Sequence, residues 1–114
     1  MTYIDGFVLP VPADKQDAYV DCAAKGWPLF REFGCTRHVE AWTDDVPHGT
    51  RTDYYRAVQA TEEETIVFSW LVYPDRATRD EANRKMMSDE RMANMDMPFD
   101  MKRMIVSGLS LIHI

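Results

Sequence analysis

The order of periodic segments in this 114-residue chain predicts an α+β fold, an antiparallel sheet with its helices on one face. Three observations carry that reading. Strand and helix signatures follow one another as β-α-β-(β)-β-α-β. Each of the two long helical stretches links two strands, and right-handed βαβ crossovers put both helices on the same side of the sheet. The best-marked strand, Thr65–Tyr73, is largely apolar in both of its rows, so neither sheet face is built to meet water. This is the ferredoxin-like split βαβ arrangement, and the length suits a single domain over residues 1–114.

Tyr3–Leu9, rich in aromatic and branched residues, predicts the first strand, which Pro10 and Pro12 would end. Asp14 is placed to cap the first helix, with Asp17 in its positively polarised first turn. Ala18, Tyr19, Cys22, Ala23, Phe30 and Phe33 recur at helical spacing, and Gly34 stands where a helix-ending glycine belongs. Pro28 removes the bond to the Ala24 carbonyl and predicts a kink or bulge over Gly26–Pro28. Cys35–Thr43 reads as the second strand, the DDVPHG stretch as a turn, Tyr54–Ala60 as a short strand and Glu62–Glu64 as a solvated turn.

In Thr65–Tyr73 one row is Ile66, Phe68, Trp70 and Val72, and the other is Thr65, Val67, Ser69, Leu71 and Tyr73. The wholly apolar first row is expected under the helices. The second row, with Tyr3 and Phe7, would then line the uncovered face. Pro74 and Asp75 open the second helix, with Asp75/Arg79, Asp80/Arg84 and Glu81/Lys85 at the favourable i,i+4 spacing. That helix is expected to end near Met87, with a further turn at Arg91–Met95 and the last strand at Met104–Ile112. An apolar sheet face that no helix covers predicts a homodimer through the sheet faces.

The formal charge is −6, and all of the excess lies in residues 1–74, because segment 75–103 is balanced. No basic stripe is present to neutralise phosphates, so neither nucleic acid nor a membrane surface is an expected partner. No apolar run is long enough to span a bilayer, and the N-terminus lacks the basic start of a signal peptide. Cys22 and Cys35 read as reduced, partly buried thiols, and the expected location is cytoplasmic. No phosphate loop, GxGxxG turn, GxSxG elbow or HExxH helix occurs, so no cofactor is implied.

The chemistry-bearing residues cluster by strand parity. Asp5 shares a row with Tyr3 and Phe7, His38 shares one with Glu40 and Trp42, and Ser69 lies on the mixed row of Thr65–Tyr73. On neighbouring strands these groups converge, expected on the face away from the helices. Carboxylates in an apolar cleft gain proton affinity, which suits general acid/base work and makes Asp5, His38 and Glu40 the candidate catalytic residues. The plain alternative is that His38 and Glu40 are solvated on an edge strand or paired with Arg37, Arg56 or a dimer mate. Trp70 and Tyr3 are candidate apolar walls. Seven of the eight methionines fall between Met86 and Met104, read as adaptable packing rather than a soft-metal site. Ser69, Asp100 and Arg103 are candidate ligand-binding residues, and Asp100 with Arg103 can also form a structural clamp across a turn. No metal-ligand spacing is diagnostic.

The segments YIDGFVLPVP, HVEAWTDDV, VFSWLVY, DEANRKMMSDER and MPFDMKRM resemble the YbaA-like family, a domain of unknown function, from Tyr3 to about Leu109. The resemblance implies a dimeric α+β barrel. Where members usually carry a tryptophan, this chain has Phe30, and where they often carry glycine it has Met101. The family brings no established activity, so no catalytic residue is carried over. The expected function is that of a homodimer with a cleft for a small organic molecule, acting as a cofactor-free acid/base enzyme. The alternative is a non-catalytic ligand-binding or stress-response dimer.

Overall fold

A computed structural model describes residues 1–114. Four strands, β1 (Tyr3–Pro12), β2 (Arg37–Trp42), β3 (Glu64–Tyr73) and β4 (Ile105–Ser110), form one antiparallel sheet in the order β2-β3-β1-β4. Helices α1 (Gln16–Glu32) and α3 (Arg76–Ser88) make the two crossovers, with the short α2 (Tyr54–Ala57) and α4 (Glu90–Ala93) in the connections. This is the ferredoxin-like topology expected from the segment order.

Several elements differ from expectation for identifiable reasons. β1 runs through both prolines, because β4 pairs only as far as Val8 and leaves that side of β1 without a strand to bond. Asp14 lies in a 3₁₀ turn, Ala13–Lys15, and caps nothing; α1 starts at Gln16 without a side-chain cap. Helix α1 passes unbroken through Pro28, whose neighbour Gly26 lies under the Phe30 ring. Tyr54–Ala57 is helical rather than a strand, since Asp53 caps it by accepting from the Arg56 N–H at 2.7 Å. Glu64 belongs to β3 and is ion-paired, so the acidic run is solvated only at Glu62 and Glu63. Gly34 ends α1 as expected, with φ of +109°. Asp75 caps α3 through the Thr78 N–H. The anticipated i,i+4 pairs do not form: Arg79 turns inward to Asp5, and Arg84 pairs with Glu81.

The main correction concerns which sheet face the helices cover. Thr65, Val67, Ser69, Leu71 and Tyr73 are the row beneath the helices, and all five are buried. Val67 packs with Leu9, Val11 and Tyr19; Leu71 and Tyr73 pack with Cys35 and Ala82. Phe68, Trp70 and Val72 point the other way, and Phe68 is 43% exposed. Alternation fixes which residues share a row but not which row the crossovers cover. Trp70 is therefore on the bare face and walls no cleft beneath the helices, whereas Tyr3 lies under the Arg79 guanidinium.

Candidate functional site

The β2-β3-β1 register builds the site. Glu40 lies opposite Ser69, which lies opposite Phe7; one pair along, His38 lies opposite Leu71, which lies opposite Asp5. All share the helix-covered face, the reverse of the face expected. The period of two in β2 aims His38 and Glu40 the same way.

Glu40 gathers three partners. Tyr19 on α1 donates its hydroxyl to Oε1 at 2.6 Å, and Ser69 donates to Oε2 at 2.9 Å. The His38 Nε2 meets Oε2 at 2.5 Å. The imidazole is only 7% exposed and the carboxylate 24%. Trp27 and Phe30 of α1 flank the imidazole, with ring centroids 6.2 and 5.1 Å away. Burial, then the neighbouring Glu40 charge, pushes the Tyr19 hydroxyl well above the ordinary tyrosine range, so it remains a donor. A carboxylate oxygen accepts, so Nε2 is the donor in this contact and Nδ1 is the ring nitrogen left outside it.

Tyr19, Phe30, His38, Glu40 and Ser69 border a cavity of about 230 Å³ between sheet and helices. His38, Glu40, Ser69 and Asn83 are its polar rim; Phe7, Leu9 and Leu71 floor it from the sheet. Met86 of α3 closes it together with Met92, Met97, Phe99, Met101 and Met104 of the α3–β4 connection. The methionine-rich segment is thus a wall of the cavity, which its composition alone did not indicate.

Asp5 stands apart. Leu71 lies between it and His38, a separation of about 10 Å across two strand spacings. It is 3% exposed and pairs with Arg79, whose Nε lies 3.3 Å from Oδ1. Burial pushes the Asp5 carboxyl upward while Arg79 pulls it down. Arg79 also donates to the Tyr3 hydroxyl at 2.9 Å. Asn83, beside Asp5 and itself on the cavity rim, links this pair to the cavity and helps hold the Asp5 carboxyl down.

Asp100 and Arg103 do not border the cavity. Arg103 forks onto Glu64 with two bonds of 2.7 Å, and its Nε reaches Asp100 at 2.9 Å. A further bond goes to the Gln59 carbonyl. Four of the five guanidinium N–H groups are engaged, which is the geometry of a clamp fixing the chain before β4.

Cys35 is buried, its Sγ donates to the Arg37 carbonyl, and burial raises its thiol above the usual range. Cys22 is likewise free. No group of three or more histidine, cysteine or acidic side chains is arranged to hold a metal ion, and no helix is long and apolar enough to cross a membrane.

Sequence reasoning missed Tyr19, Asn83 and Arg79 as polar partners. Tyr19 alone carried a signal: a tyrosine on an apolar helix stripe must find a partner for its hydroxyl.

Among solved structures, the chain resembles a dimeric ferredoxin-like protein from an uncultured marine organism, with a TM-score of 0.61, 10% identity and all of both chains covered. A dimeric ferredoxin-like protein of unknown function from a Jannaschia species matches at a TM-score of 0.58 and 14% identity, over 96% of this chain and 99% of that one. These likenesses concern the fold. In sequence, the uncharacterized protein YbaA of Escherichia coli is 57% identical over 114 residues, 98% of this chain and 97% of its own length. YbaA of Shigella flexneri matches to the same extent. The model of DUF1428, described as a protein of unknown function, matches residues 2–101, and the chain belongs to that family.

Proposed function

We propose that this chain is a cytoplasmic homodimer that binds a small, mostly apolar molecule between sheet and helices, and that His38 and Glu40 perform cofactor-free acid/base chemistry on its one polar group. The observation that carries this is the trio of partners on Glu40 at the rim of an otherwise apolar cavity. Convergent polar groups in an apolar concavity are the usual form of a small-molecule site. In this reading His38 takes a proton from the ligand at its free ring nitrogen, the imidazolium is held by Glu40, and the ligand keeps the electron pair. Asp5 takes no direct part.

The dimer half of the proposal rests on the bare sheet face. Phe68, Ile105 and Leu109 are exposed there beside Trp70, and the two structural relatives above are dimeric. Two free cysteines agree with a reducing compartment.

A thermal-shift screen against small aromatic alcohols, acids and quinones tests the site. A stabilising compound whose effect is lost in Glu40→Gln and kept in Glu63→Gln, at an exposed position, places binding at the cavity. Equal loss in both variants, or no stabilising compound, defeats the reading. Turnover of that compound, lost in His38→Gln, distinguishes an enzyme from a binding protein.

A further inference from the structure

The cavity described above is not the only void the methionines border. A second, open depression of about 550 Å³ is lined entirely by apolar residues of the segment 86–101. Met86, Met92, Met97, Met101 and Phe99 border both. The two spaces therefore meet at a layer of four methionine side chains and one phenylalanine. Methionine has three rotatable bonds and no branch, so such a layer rearranges at small cost, and its thioethers favour the edges of aromatic rings.

Size and charge narrow the occupant. An apolar cavity of about 150 Å³ accepts benzene, so 230 Å³ holds one substituted ring, and a second ring requires the methionine layer to move. The lining contains no lysine or arginine, and its acidic member, Glu40, is a hydrogen-bond acceptor. A ligand carboxylate would meet like charge without a cation, whereas a hydroxyl can donate to the rim. The remaining aromatic lining (Phe7, Phe30, Phe99 and Tyr19) offers ring faces and edges to a planar guest.

We infer that the site takes a neutral planar aromatic alcohol, of the phenol or naphthol class, and that Met86, Met92, Met97 and Met101 form a yielding wall that opens the cavity toward the outer depression for the larger members. This rests on the cavity reading and specifies its substrate class and its specificity-determining residues.

The test uses the full chain with methionine methyl groups labelled for NMR, and four probes: 4-ethylphenol, 2-naphthol, 2-naphthoate and decahydro-2-naphthol. The expected result is that 2-naphthol moves the methyl signals of Met86, Met92, Met97 and Met101 while Met1 stays still. 2-Naphthoate binds at least tenfold more weakly at neutral pH, and the saturated alcohol several-fold more weakly. In the double variant Met92→Leu with Met97→Leu, which keeps apolar bulk but removes two thioethers, 2-naphthol weakens by about fivefold to tenfold. Binding of 4-ethylphenol at His38 without any binding of 2-naphthol overturns the yielding wall and leaves the cavity reading intact. Equal affinity for naphthoate overturns the charge argument, and equal affinity for the saturated alcohol overturns the aromatic one. No binding by any probe overturns the cavity reading itself.

Discussion

At the scale of single residues, Glu40 is the point on which the site turns. A carboxylate out of bulk water needs compensating donors, and here three side chains from three elements supply them. The Tyr19 bond is charge-assisted, and the tyrosine ring also packs on Trp42 and Phe99, with centroids at 6.2 and 5.7 Å. Tyr19→Phe keeps the ring and removes the donor. Loss of a hydrogen bond to a charged group costs about 1.5–3 kcal/mol, so the variant should unfold at measurably lower urea. An unchanged urea midpoint would show that water substitutes for Tyr19 and that Glu40 is not held. Much of this site was legible in the sequence, because His38 and Glu40 alternate on one strand and Ser69 falls in the matching row of β3. The grouping of Asp5 with them was legible only as far as the shared face. The Leu71 side chain between the strands, and the Arg79 that claims Asp5 from α3, depend on helix placement that no strand pattern encodes.

At the scale of elements, Arg103 ties the start of β4 to β3 and makes that junction sensitive to acid. Its hydrogen bonds hold the Glu64 carboxyl down at about 2, below the ordinary 4.5, and hold Asp100 down as well. A carboxylate whose folded value is depressed adds stability that is present above its unfolded value and is lost as pH falls toward its folded value. The contribution of Glu64 is therefore complete above about pH 4.5 and fades between pH 4.5 and 2. Arg103→Met should be less stable than the parent at pH 7, and the gap in urea midpoint should narrow through that window. A gap that stays constant from pH 7 to 2 would mean that Arg103 acts by packing rather than charge. The end of α1 gives a second expectation. A side chain at Gly34 would hold φ of +109° and put its Cβ 2.5 Å from the Thr78 methyl carbon. Gly34→Ala should cost at least the roughly 1–3 kcal/mol of a strained backbone, read as a lowered thermal midpoint. Glycine at a helix end announces itself in sequence because few residues adopt that conformation. Pro10 and Pro12 misled because proline stops a strand only where a neighbour needs its N–H, and neighbours are a tertiary fact.

At the scale of the whole molecule, the apolar row of β3 explains both the misassigned face and the expected dimer. Facing the helices, the sheet carries small and polar residues such as Thr65 and Ser69, which leave room for a cavity and its polar rim. Facing outward, it carries Phe68, Trp70 and Val72 between Ile4, Val8 and Val39 on the adjoining strands. Arg37, Glu64 and Ser107 share that face toward its edges, but its centre is apolar, which favours a second sheet as its cover, and the pattern of one chain cannot reveal which covering each row receives. Area gives an independent argument. The isolated chain exposes 7727 Å², against roughly 6,400 Å² expected of a monomer of 13.2 kDa. The surplus of about 1,300 Å² exceeds the roughly 800 Å² that one partner contributes to a standard interface. A second copy laid sheet to sheet would remove it. Phe68→Glu puts a charge at the centre of that face without touching the cavity, and should convert a dimer to a monomer in sedimentation at micromolar concentration. Val20→Glu, at a still more exposed apolar position on α1, should leave the dimer intact. A parent chain that already sediments as a stable monomer, or a Phe68→Glu variant that remains dimeric, would rule out the sheet-to-sheet interface. In the first case about 1,300 Å² of surplus surface would have to be tolerated in water, and in the second the copies would have to meet elsewhere.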